Sequence, residues 1–193
     1  MARIIVFNSV TLDGVMQGPG HPDEDRRGGF ERGGWGVPYA DEVSMGYATS
    51  SMGTTGGLLL GRWTYEDLYR AWAGRTDNPF SAVLENSPKF VASRSLREPF
   101  PWANTSVLDG DAAEAVAGLR AEQPKDLVIL GSGELIQTLM SHGLIDEYTL
   151  LIHPIVLGEG RRLFREGSTY STLRLVESKP TTTGVLIATY RPA

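Results

Sequence analysis

Two segments far apart in the chain carry the same order of residues: an apolar strand, a glycine and a polar helix start. The first is Leu58-Leu59-Leu60-Gly61-Arg62-Trp63-Thr64-Tyr65-Glu66, and the second is Leu127-Val128-Ile129-Leu130-Gly131-Ser132-Gly133-Glu134. A helix start offers backbone N–H groups without intrahelical partners, together with the positive end of the helix dipole, so it attracts phosphate. Glycine at the junction removes the Cβ that would keep an anion away from the backbone. Two such junctions on parallel strands can grip both halves of a dinucleotide's pyrophosphate. Gly131-Ser132-Gly133 opens like a dinucleotide fingerprint, but the third glycine position is Ile136. The next strand ends on His153-Pro154, not on an acid that would hold a ribose hydroxyl. The segment therefore reads as a phosphate nest outside a standard Rossmann unit, with tight helix–strand packing as the competing explanation.

The residues around these junctions extend the same chemistry. Arg62 provides a planar donor fork for a second phosphate, and the Thr64 hydroxyl either donates to phosphate or caps its helix. Ser93-Arg94, at the end of the following strand, adds a hydroxyl and another guanidinium. Together they suit an adenosine 2′-phosphate, which would select NADP over NAD; a solvated surface charge is the alternative for Arg94. Three acids are candidates for proton chemistry. Asp41 and Glu42 follow Trp35-Gly36-Val37-Pro38 and suit a buried carboxylate beside a substrate ring, or simply the first turn of a helix. Asp13-Gly14 closes the first strand and is also a common turn dipeptide.

The elements that position these residues follow from apolar spacing and its punctuation. Residues 3–10 form a strand without clear alternation, as expected when both faces are buried. A helix is expected from Tyr39 to Met52, a strand over 57–60, a helix from Thr64 to Trp72 and a short helix beginning at Pro79. Strands follow over 89–93 and 105–108. Asp111 and Glu114 form a capping box that opens a helix to Glu122. Strand 127–130, helix 134–142 with Gly143 as its C-cap, and strand 148–152 complete a βαβ unit. Residues 172–178 and 184–190 read as antiparallel strands. Residues 18–36 hold seven glycines with charged residues between them, the composition of a mobile loop inserted in one domain. The fold class is α/β: a mostly parallel central sheet with helices on both faces and an antiparallel C-terminal edge. Ligands then belong at the carboxyl ends of the strands, where both glycine junctions fall.

Composition narrows the function classes. The 193 residues fit one domain, 1–193, and 41% apolar content is enough for a full core. No apolar run approaches a membrane span, and Met1-Ala2-Arg3-Ile4-Ile5-Val6-Phe7 reads as an immediate strand rather than a signal peptide. The absence of cysteine excludes disulfides and thiolate chemistry, and His21, His142 and His153 show no metal-ligand spacing. A net charge of −5 argues against nucleic acid, so an anionic ligand needs local basic groups. A cytoplasmic protein without membrane contact is the expectation.

Several of these runs together resemble the dihydrofolate-reductase-like superfamily, in the branch similar to the C-terminal reductase domain of the bifunctional riboflavin-biosynthesis deaminase/reductase. The resemblance spans the whole chain. It rests on Thr11-Leu12-Asp13-Gly14, Leu60-Gly61-Arg62-x-Thr64-Tyr65-Glu66, Ser93-Arg94 and Gly131-Ser132-Gly133-Glu134-Leu135. To these it adds Gly143-Leu144-Ile145-Asp146-Glu147-Tyr148 and Pro154-Ile155-Val156-Leu157-Gly158-Glu159-Gly160. It implies a three-layer fold with NADPH lying across the carboxyl ends of the sheet. By the same resemblance Gly61, Arg62, Thr64, Ser93 and Arg94 contact phosphates, and Gly131, Ser132, Gly133 and Glu134 form the second pyrophosphate turn. Asn8, Ser9 and the segment from Met16 to Gly18 would face the nicotinamide. Dihydrofolate reductases place an acid on the helix after a Trp-x-x-Pro segment; here Asp41 occupies that region one residue further along.

The reading that results is an NADPH-dependent reductase of a small heterocyclic, ribosylamino-pyrimidine or pterin-like substrate. Asp41, with Asp13 or Glu42 behind it, would act as the acid, and loop 18–36 would close over the site. A dinucleotide- or flavin-binding protein without turnover, in a sensing or sequestering role, is the alternative. A homodimer is expected, with strand 148–152 and the apolar C-terminal strands covering one another across a two-fold axis.

Overall fold

Leu58, Leu59 and Leu60 are all shut off from solvent. Their strand, β2 (Gly57–Gly61), lies inside a sheet covered on both faces. The same holds for β1 (Ile4–Thr11) and for β5 (Leu127–Leu130), whose four residues are all buried. This explains the absence of apolar–polar alternation in these segments. Successive residues alternate between two cores instead. Ile4, Val6, Leu59, Leu127 and Ile129 join one cluster. Phe7, Leu58, Leu60, Val128 and Leu130 join the other.

The structure is a computed structural model and describes all residues from Met1 to Ala193. Beyond the three strands already given, the sheet contains β3 (Lys89–Ala92), β4 (Thr105–Leu108), β6 (Glu147–His153), β7 (Leu173–Pro180) and β8 (Leu186–Pro192). Its order is β4-β3-β2-β5-β1-β6-β8-β7. The first six strands run parallel, and β8 and β7 are antiparallel additions at one edge. The helices are α1 (Glu42–Gly53), α2 (Arg62–Trp72), α3 (Pro79–Asn86), α4 (Ala112–Glu122) and α5 (Gly133–Ser141). Residues of α4 and α5 pack in the first core, and residues of α1, α2 and α3 in the second, so the sheet has helices on both faces. The α/β three-layer fold with an antiparallel C-terminal edge is the one the sequence predicts. No helix is long and apolar enough to cross a membrane.

Helix ends follow local chemistry. Helix α5 stops because Gly143 adopts a left-handed φ of 62°. The Leu144 amide then reaches back to the Leu139 carbonyl and the Gly143 amide to that of Met140, a Schellman closure. At α4 the Asp111 carboxylate accepts the Ala113 and Glu114 amides, which is half of the expected capping box. The complete capping box is at α1, between Asp41 and Ser44. That helix begins later than the sequence suggests. Residues Val37–Tyr39 make a single 3-10 turn around Pro38, and Ala40 and Asp41 are extended before the helix starts.

Residues 18–36 differ most from expectation: they pack rather than dangle. Phe30 and Trp35 are 4% and 6% exposed. The Trp35 indole N–H donates to the Gln17 carbonyl at 2.7 Å. A Cβ on Gly160 would lie 2.8 Å from both Phe30 and Val15. The glycines serve this close packing as well as the turns.

A second difference concerns the sheet edge. Strand β6 lies between β1 and β8, so it offers no free edge to a partner. The edge strands are β4 and β7, and on β7 Leu175 and Val176 are exposed.

Candidate functional site

The two glycine junctions are hydrogen-bonded to each other. The Ser132 amide donates to Thr64 Oγ1 at 3.0 Å. The Gly61 amide donates to Ser132 Oγ at 2.9 Å, and that hydroxyl donates to the Leu130 carbonyl at 2.8 Å. These bonds follow from topology: β2 and β5 are neighbouring parallel strands, so the starts of α2 and α5 emerge side by side.

Gly131 and Ser132 both adopt left-handed backbone, at φ 53° and 56°. For a non-glycine residue this conformation costs about 1–2 kcal/mol, and the bonds just described hold Ser132 in it. Gly131 tolerates no side chain, since a Cβ there would lie 2.9 Å from Thr64 Cγ2. Asn8 fastens the same turn from β1. Its Oδ1 accepts the Gly131 amide at 2.6 Å, and its Nδ2 donates to the Gly131 carbonyl at 3.1 Å.

Around these turns lies a cleft of about 710 Å³, within the range of small-molecule sites. It runs past Ala92 at the end of β3 and Ala112 at the start of α4, past Gly61–Thr64 and Gly131–Gly133 in the middle, and on to Met16, Gln17 and Gly18. The predicted cofactor residues Met16, Gly18, Gly61, Arg62, Thr64, Gly131, Ser132, Gly133 and Glu134 all line it. The donors are backbone amides at two helix starts, hydroxyls, and the guanidiniums of Arg27, Arg62, Arg161, Arg162 and Arg165. Such a set fits an elongated, multiply charged phosphate ester such as a dinucleotide. Gly61 and Thr64 with the Gly131–Gly133 turn would hold its pyrophosphate, which leaves Arg62 for a second phosphate.

Four of the remaining predictions are corrected. Asn8 is buried and holds Gly131, so it shapes the turn rather than facing a ring. Ser9 is outside the cleft lining. So are Ser93 and Arg94. The Ser93 hydroxyl accepts the Ser95 and Leu96 amides, closing the turn after β3. Arg94 is exposed at that turn. Arg62 alone of the expected 2′-phosphate group lines the cleft, with Nε on Glu66 and Nη1 on the Ser95 hydroxyl.

None of the three expected acids lines the cleft either. Asp41 caps α1 by accepting the Ser44 amide at 2.8 Å, and its other oxygen accepts the Thr182 amide and hydroxyl at 2.7 and 2.6 Å. Desolvation pushes this carboxyl up, but the Thr182 and Ser44 hydrogen bonds together hold it well below the ordinary carboxylate range. That is the reverse of what a proton donor needs. Asp13 accepts the Thr11 hydroxyl and the Leu157 and Gly158 amides. The Thr11 bond is the largest influence, and the carboxyl is lowered to about 2. Asp13 is thus the turn residue of its second reading. Glu42 is exposed in the first turn of α1.

Three further acids line the cleft beside Glu134 and Glu166, and these three were not legible from spacing. Glu24 and Asp25 come from the packed insertion, and Asp67 from α2. Burial pushes the Glu24 carboxyl up, assisted by nearby Asp67 and opposed by the Gly20 and His21 amides that it accepts. Burial also raises Asp67, against the pull of His21 at 3.5 Å and Arg70 at 3.2 Å. Asp25 is different. Burial pushes it up, but the Arg27 fork outweighs that and leaves it lowered. Gln17 organises this wall: its amide donates to the Asp25 and Arg27 carbonyls, and its oxygen accepts the Arg161 amide. The run Arg161-Arg162-Leu163-Phe164-Arg165 was the available signal for the basic wall, three arginines in five residues beside a glycine pair.

Comparison with known proteins gives the family and the fold. Residues 2–187 match the family model described as the RibD C-terminal domain. Two Bacillus subtilis (strain 168) proteins, both described as uncharacterized, are similar over most of their length. YwjB is 32% identical, covering 92% of this chain and 91% of its own. YyaP is 29% identical, covering 97% and 94%. Among solved structures, the diaminohydroxyphosphoribosylaminopyrimidine deaminase/5-amino-6-(5-phosphoribosylamino)uracil reductase of Thermotoga maritima superposes with a TM-score of 0.67 at 14% identity. That match covers 100% of this chain and 57% of the other. Dihydrofolate reductase from Enterococcus faecalis, complexed with NADP(H), gives 0.64 at 15% identity, covering 98% and 96%. At such identities the structures establish the shared fold.

Proposed function

The chain belongs to the RibD C-terminal domain family, and on that premise we propose that it is an NADPH-dependent reductase. Its substrate would be a small heterocycle of the ribosylamino-pyrimidine or pterin kind. The observation that carries this reading is the joined pair of glycine turns, with Ser132 bonded to Thr64 and to Gly61, set in a cleft walled by arginines. The Enterococcus dihydrofolate reductase, of the same fold, is a complex with NADP(H). The Thermotoga enzyme's name describes reduction of a phosphoribosylamino pyrimidine.

NADPH would supply the hydride, and the chain would supply binding, orientation and a proton. Glu24 takes the place first assigned to Asp41 as proton donor. It lines the cleft, and burial keeps its carboxyl protonated to higher pH than usual. Asp67 is the weaker candidate because His21 and Arg70 both favour its charged form. The test is loss of reduced-nicotinamide absorbance when the protein is mixed with NADPH and a panel of aminopyrimidine, imine and dihydropterin compounds. Turnover with at least one ring class, abolished by Gly131→Ala, supports the reading. NADPH binding with no turnover across the panel favours the alternative, a sensing or sequestering protein. One observation speaks for that alternative: Asp41, Asp13 and Glu42 all stand away from the cleft.

We also infer a two-fold dimer through β7, whose exposed Leu175 and Val176 sit on an open edge of the sheet. A cytoplasmic location accords with the use of NADPH.

A further inference from the structure

Every arginine of the cleft already has a carboxylate. Arg27 pairs with Asp25, Arg62 with Glu66, and Arg162 with Asp13. Glu134 serves two of them. The Arg165 fork grips both its oxygens at 2.8 and 3.1 Å, and Arg161 stands 3.5 Å away. The field of Glu134 also reaches Arg27. Glu134 is the second residue of α5, directly after the left-handed turn at Gly131 and Ser132. A carboxylate thus holds both attractions that a phosphate would use here, the helix start and the arginine forks.

The resemblance to the family groups Glu134 with the pyrophosphate turn, yet its charge is the same sign as the ligand's. We propose that Glu134 is a built-in competitor. It keeps Arg161 and Arg165 ordered and neutralised at the cleft mouth, and a diphosphate takes those guanidiniums over from it. This rests on the dinucleotide reading above and assigns Arg161 and Arg165 as the diphosphate's ligands. Exchange is feasible because the Glu134, Arg161 and Arg165 side chains are 63%, 48% and 51% exposed. Exposed ion pairs are weak, and the same arginine forks can take phosphate oxygens in bidentate geometry, with more than one phosphate charge to meet them. The device lowers affinity by design, favours release of the dinucleotide, and keeps bare guanidiniums from gathering unrelated anions.

The experiment is a calorimetric NADPH titration of the full chain and of Glu134→Gln and Arg165→Gln, at two salt concentrations. Glu134→Gln should bind roughly five- to twentyfold tighter and show a steeper loss of affinity with salt, since a like charge has gone. Arg165→Gln should bind roughly tenfold more weakly. A merely structural role for Glu134, pinning the Arg165 segment to α5, predicts weakened or unchanged binding. That result with a normal wild-type titration overturns this proposal alone. A wild-type protein that takes up no NADPH overturns the dinucleotide reading with it.

Discussion

The Ser132 amide and Thr64 Oγ1 lie 3.0 Å apart, joined by a hydrogen bond between residues 68 positions apart in sequence. The bond joins two separate strand–helix junctions into one structural unit. Thr64 spends its acceptor on Ser132, which leaves its own proton for a phosphate oxygen. Thr64→Val therefore removes both functions while keeping the side chain's shape. The expected result is a loss of roughly 1–3 kcal/mol in unfolding free energy and at least tenfold weaker NADPH binding. Urea denaturation and an NADPH titration check the two parts.

Gly131→Ala is a harsher test of the same turn. A methyl group there would lie 2.9 Å from Thr64 Cγ2 and 3.1 Å from Thr64 Oγ1, on a backbone already at φ 53°. The turn has to shift, and with it the Asn8 clamp. We expect dinucleotide binding to fall below detection while the sheet survives, as read by circular dichroism.

Asp41 and Asp13 are structural acids, and their pH dependence has a defined sign. Both carboxyls lie below their ordinary value of 3.8 in the folded chain. Each therefore contributes stability that is complete above that value and is lost as pH falls; for Asp13 the window closes at about 2. Asp41→Ala should cost about 1 kcal/mol at neutral pH, the usual worth of an N-cap. Turnover should stay within about twofold of wild type, since general acid–base catalysis is worth ~10²–10⁴ and Asp41 supplies none of it. A loss of that size with normal stability would return the acid to Asp41.

Glu24→Gln should show the opposite pattern. Turnover should fall by ~10²–10⁴ with NADPH affinity nearly unchanged. In the wild-type protein the rate should decline as pH rises through the elevated Glu24 value, because the protonated form is the active one. A flat profile in that limb removes Glu24 from the chemistry.

These residues also mark how far the sequence alone could lead. The strands were legible because Leu58–Leu60 and Leu127–Leu130 are short continuous apolar runs ending in glycine, the pattern expected of a strand covered on both faces. The two glycine turns were legible for the same reason. Asp41 was misread because its partner, Thr182, lies 141 positions away on the β7–β8 turn, beyond the reach of any local pattern. The insertion was misread because glycine content signals turns equally well whether or not Phe30 and Trp35 fold under them. Ser93 was misread because its hydroxyl is consumed two and three residues ahead of itself.

Calorimetric titration of the wild-type chain with NADPH and with NADH decides whether this cleft binds a phosphorylated nicotinamide dinucleotide. One saturable site per chain is expected, with a preference for NADPH of roughly ten- to a hundredfold, the worth of one charge-assisted arginine–phosphate contact. The preference should collapse in Arg62→Ala, the one residue of the expected 2′-phosphate group that lines the cleft. Equal affinity for the two dinucleotides, or no uptake of either, would contradict this reading of the cleft.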